Sequence, residues 1–86
     1  MAKLKMMEID DEIVERVPHW KTDFKDELHL IPEDLIEVID EYVNSIINNT
    51  TSLDCWYCEL KAEFNGFEGT HNGTKEFVNK LRNYFL

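Results

Sequence analysis

Nine Lys and Arg against eighteen Asp and Glu leave this 86-residue chain a formal net charge of −9. Hydrophobic residues at 43% and aromatics at 12% supply one small core and exclude a disordered tail. The acidity also sets the surface against direct binding of nucleic acid or anionic membranes, both of which attract clusters of Lys and Arg.

No apolar run reaches the ~18–20 residues of a membrane span, and no charged-then-apolar leader opens the chain. The expectation is one cytoplasmic domain over residues 1–86.

In chain order, residues 3–9 can add a strand with Leu4 and Met6 on one face. Ile9, Ile13, Val14 and Val17 fit a short helix opened by Asp10 or Asp11 and closed before Pro18. Trp20, Phe24 and Leu28 fit two further turns. The clearest helix runs over 33–48, where Leu35, Ile36, Ile39, Tyr42, Val43, Ile46 and Ile47 recur every three to four residues. Pro32 suits its first position, and Glu33 and Asp34 favour the positive end of its dipole. The polar run 48–52 ends it.

Trp56, Cys58, Leu60, Ala62 and Phe64 alternate with polar neighbours, which predicts a strand over 55–64. Asn65-Gly66 then reads as a hairpin turn and 67–71 as a return strand. Asn72-Gly73 turns the chain again, and Thr74 caps a last helix over 75–85 with Phe77, Val78, Leu81, Tyr84 and Phe85 inward. The expected fold is α+β: a small antiparallel hairpin or sheet with two to four helices on one face.

Catalytic chemistry finds little support, and the chain reads as a non-enzyme without cofactor or metal. Cys55 and Cys58 form a C-x-x-C, a possible zinc half-site or redox pair. On a strand, residues three apart point to opposite faces roughly 10 Å apart, beyond disulfide reach. Cys58 is then a small core residue and Cys55 peripheral. His19, His29 and His71 show no ligand spacing, and Ser45 and Ser52 no nucleophile elbow. The three glycines are absorbed by turns and a strand, which leaves no phosphate loop. The N-x-Ser/Thr runs at Asn48, Asn49 and Asn72 are coincidences of turn chemistry.

The charge distribution says more. Residues 8–41 hold thirteen carboxylates against Arg16, Lys21 and Lys25, and no Lys or Arg falls between Lys25 and Lys61. On the helix over 33–48, Glu33, Asp34, Glu37, Asp40 and Glu41 repeat at i,i+3 and i,i+4, like-charge pairs that each cost about 0.2–0.5 kcal/mol. Folding alone does not ask for this row; its spacing of roughly 5–6 Å is on the scale of phosphates along a nucleic-acid strand. Such a face can occupy the basic site of a nucleic-acid-binding protein or nuclease as a DNA mimic, with Tyr57 or His19-Trp20 as aromatic contacts.

Small phage-encoded inhibitors and toxin-neutralising immunity proteins share this size and acidity, an analogy of class alone. An antitoxin holding a basic toxin is the second expectation. A structural adaptor that forms a homodimer through Tyr84-Phe85-Leu86 is the third. A solvated acidic face that merely discourages aggregation remains the plainest account of the composition.

Overall fold

The computed structural model describes residues 11–48 and 53–86. The strand considered for 3–9 and most of the polar run 48–52 lie outside the described residues. Within them every regular element is helical, with no strand and no sheet. The expected α+β architecture is therefore overturned.

Helix α1 (Asp11–Arg16) opens on Asp11 and Glu12 and closes on Arg16, a charge order that suits its dipole. Pro18 sits in the first turn of a 3-10 segment, Val17–His19, which leads into the single turn α2 (Trp20–Asp23). Phe24 and Leu28 do not extend α2. Phe24 ends α2, its amide reaching back to Trp20 O at 2.9 Å, and Leu28 starts a second 3-10 segment, Leu28–Leu30. Short turns deliver Trp20 and Phe24 to the core where a continuous helix was expected.

Ile31 is extended, as a following proline favours, and the Pro32 carbonyl takes the first bond of α3 (Glu33–Asn48) from Ile36 N at 3.0 Å. Leu35, Ile39, Tyr42, Val43 and Ile46 are buried; Ile47, at the far end of the expected stripe, is exposed.

Residues 53–68 form α4 (Leu53–Glu68), the longest departure from the sequence reading. Trp56, Leu60 and Phe64 are spaced by four, a separation that satisfies a strand and a helix alike. Positions that fit only one period decide between them. Cys58 and Ala62, which a strand would bury, are exposed, whereas Leu53, Tyr57 and Phe67 pack into or against the core. Asn65-Gly66 makes no hairpin turn; both residues lie within α4 on its exposed side. The return strand over 67–71 is instead the end of α4 and the connection that follows, where the Thr70 hydroxyl donates to Phe67 O at 2.8 Å.

The second Asn-Gly does turn the chain. Gly73 is buried, and a Cβ there would fall on the Phe67 carbonyl carbon and oxygen. Thr74 then caps α5 (Lys75–Phe85) by accepting from Phe77 N at 3.2 Å, with the predicted bounds and with Val78, Leu81 and Phe85 buried.

The core gathers around the end of α5. The Phe85 ring meets Trp20 at 5.6 Å, Phe64 at 6.3 Å and Phe24 at 6.3 Å between centroids. Its carbonyl accepts a buried bond from the Tyr42 hydroxyl at 2.9 Å. Phe85 is thus unavailable to the dimer patch expected at Tyr84-Phe85-Leu86.

The two Asn-Gly sites test the helical assignment in opposite directions. Gly66 has open space around the position of a Cβ. Gly66→Ala should stabilise the protein by about 0.5–1 kcal/mol through helix propensity, measured by urea unfolding; a hairpin turn there would give destabilisation. Gly73→Ala should cost about 1–3 kcal/mol through overpacking against backbone.

Candidate functional site

At 100° per residue, Asp40, Glu33, Glu37, Glu41 and Asp34 fall within an arc of about 120° on α3, opposite Leu35, Tyr42 and Ile46. Four of them, Glu33, Asp34, Glu37 and Glu41, are exposed, and among the described residues none has an ion-pair partner. Glu33, Glu37 and Glu41 form a row with steps of about 6 Å along the axis.

Asp40 differs from the other four. Its carboxylate accepts from Trp20 Nε1 at 3.3 Å and pairs with Lys21 Nζ at 3.2 Å, so it fastens α2 to α3 at the margin of the arc. Beside it, a shallow groove of about 340 Å³ opens between the Pro18–Lys21 stretch and Val43, Asn44 and Ile47 of α3. Ile47 is 52% exposed, which places an accessible apolar side chain next to the acidic arc.

The aromatic contacts expected for this face fall elsewhere. Tyr57 is half-buried between α3 and α4, its ring 6.3 Å from that of Tyr42 and under Lys61 Nζ at 5.1 Å. Tyr42 points into the core, away from the carboxylates, so Tyr57 is not on their edge. Trp20 is a core residue, and only His19 of that pair is exposed.

Among the described residues, Arg16, Lys80 and Arg82 are engaged away from the arc. The Arg16 guanidinium donates to Tyr84 O at 2.8 and 3.0 Å and to Asn83 O at 2.9 Å, serving the carbonyls that end α5. The Tyr84 hydroxyl returns to Arg16 O at 2.8 Å and lies 2.5 Å from Asp23 Oδ2. Lys80 reaches Glu27 at 3.3 Å, and Arg82 reaches Glu68 at 2.8 Å as well as Asn65 and Asn79. None of these cations faces the α3 row. Negative charge is not confined to α3, however: Asp11, Glu12 and Glu15 on α1, Glu59 on α4 and Glu76 on α5 are also exposed.

Cys55 and Cys58 are both exposed, which corrects the assignment of Cys58 to the core. On a helix they are neighbours one turn apart, and the opposite-face argument from a strand no longer applies. Among the described residues no group of three or more His, Cys, Asp or Glu is placed to hold a metal ion, and no helix is long and apolar enough to cross a membrane.

Comparison with known protein families, with curated proteins and with solved structures finds no match for the chain in any of the three.

Two tyrosines give the fold a pH limit. Burial pushes the Tyr42 hydroxyl well above its ordinary value, with nearby Tyr57 adding to the shift. Tyr84 is raised first by burial and then by Asp23, with Arg16 pulling the other way. The unfolded chain releases these protons near pH 10 while the folded one retains them, so stability is intact below about pH 10 and falls as pH rises above it. Alkaline titration followed by tyrosinate absorbance and circular dichroism should show these two hydroxyls ionising together with loss of helix; ionisation with the helices intact would contradict it.

Proposed function

We propose that this protein is a non-enzymatic binding protein whose α3 edge occupies the basic, nucleic-acid-binding surface of another protein. The observation that carries the reading is the exposed row Glu33, Asp34, Glu37 and Glu41, held on one side of a rigid helix with no cation opposite it among the described residues. A helix stabilised only for its own sake would carry Lys at one of these positions, because i,i+4 repulsion then becomes attraction. The retained repulsion is relieved when a cationic surface docks. Desolvation on docking strengthens each new ion pair relative to its value in water.

The neighbouring groove supplies the second element of an interface. Charged rims steer encounter and set orientation, while an apolar contact that excludes water contributes most of the affinity. Ile47 flanks the groove beside Asp40, over the buried Val43, so the partner meets carboxylates on one side and an apolar side chain on the other. Lys21 at the groove wall is paired with Asp40 and does not oppose a cationic partner.

The double substitution Glu37→Lys with Glu41→Lys should leave helical content unchanged and abolish capture of the basic partner in a salt-graded pull-down. The partner recovered by the wild-type protein should bind duplex DNA or RNA, and this protein should compete with that nucleic acid for it. Undiminished capture by the double variant would overturn the role of α3, and a captured partner with no nucleic-acid-binding activity would overturn the choice of target.

A further inference from the structure

Cysteine is among the residue types most often buried, yet Cys55 and Cys58 both lie on the exposed side of α4. That side is opposite the one through which Leu60, Phe64 and Phe67 enter the core, so neither thiol is retained for packing.

Three residues apart on a helix, their Cβ atoms stand about 5–6 Å apart. A disulfide requires Cβ atoms at about 3.5–4.5 Å, so closing one would distort the first turns of α4. A metal ion bridging two thiolates makes a smaller demand. With metal–sulfur bonds of about 2.3 Å, two sulfurs on opposite sides of an ion stand roughly 4–5 Å apart. The thiols reach that separation by side-chain rotation while the helix keeps its geometry.

The neighbouring side chains favour a cation. Asp54 is one turn from Cys58, and Glu59 is one turn from Cys55, so a carboxylate flanks the pair on each side. Neither completes a site of three or more donors. Two soft donors without a third match a soft ion of low coordination number better than zinc, whose structural sites take four ligands.

We propose that Cys55 and Cys58 form a two-thiolate surface site for a soft monovalent ion, Cu(I). On binding, the two thiols release two protons and the ion is held as a bis-thiolate, with no change of oxidation state. The site is separate from the acidic row on α3 and does not depend on its role.

The test is anaerobic titration of the full chain with Cu(I) against a chromophoric Cu(I) chelator, with helical content followed in parallel. The wild-type protein should withdraw one ion per chain with its helices intact. Cys55→Ser and Cys58→Ser should each remain folded and lose about 100-fold or more in affinity, since the second donor acts at high effective concentration. Uptake no greater than that of the Cys55→Ser/Cys58→Ser double variant would overturn the proposal. So would one ion shared between two chains, because that requires donors from a second copy.

Discussion

Phe85 is fully buried at the end of the last helix, and side chains from α2, the turn after it, α3 and α4 converge on it. Its ring touches Trp20, Phe24 and Phe64, its carbonyl takes the Tyr42 hydroxyl, and the two carbonyls before it take Arg16. Helix carbonyls at a C-terminus have no partner within the helix, and leaving the buried Phe85 carbonyl unsatisfied would cost about 1–3 kcal/mol. Arg16 and Tyr42 meet that need from α1 and α3, so satisfying the end of α5 also fixes where those elements sit. A chain this small has little core to spare, and a shared anchor of aromatic rings and backbone acceptors is an economical way to join short segments.

This anchoring has an electrostatic consequence. Arg16 serves carbonyls, and the cations that do meet carboxylates fasten turns and helices together: Lys21 to Asp40, Lys80 to Glu27 and Arg82 to Glu68. These exposed or half-exposed pairs contribute little individually, on the order of 0–1 kcal/mol. Lys80 and Arg82 are engaged away from α3, and Lys21 meets the arc only at its margin, through Asp40. The acidity of that edge follows from its run of carboxylates, and among the described residues no ion pair reaches Glu33, Asp34, Glu37 or Glu41. Asp40 belongs to both systems, which is why it marks the boundary between the groove and the free row.

How much of this was legible in the sequence varied by element. Helices α3 and α5 were plain, because each carries a long stripe at helical spacing and α5 has a threonine cap. Helix α4 reads as a strand in the sequence because Trp56, Leu60 and Phe64 fit both periods, and Asn65-Gly66 reinforces the wrong one. The core positions Leu53, Tyr57 and Phe67 fit only the helical period, and two of them, Leu53 and Phe67, lie outside the alternating stretch 55–64. That error also displaced the cysteines, turning an exposed i,i+3 pair into two residues on opposite faces. The acidic row was readable, since it follows from helical spacing alone. The removal of Asp40 and Tyr57 from its free edge was not, because Trp20, Lys21 and Tyr42 meet them only through tertiary contacts.

Whether the α3 carboxylates stand unneutralised is best measured as the unfolding free energy of Glu37→Gln against wild type at low and high salt. Glu37 has like-charged neighbours at Glu33, Asp34, Asp40 and Glu41, so removing its charge should stabilise the protein at low ionic strength by about 0.5–1 kcal/mol. The difference should shrink toward zero as salt screens the row. A variant less stable than wild type at low salt would mean that Glu37 is held by a cation, and would contradict the account.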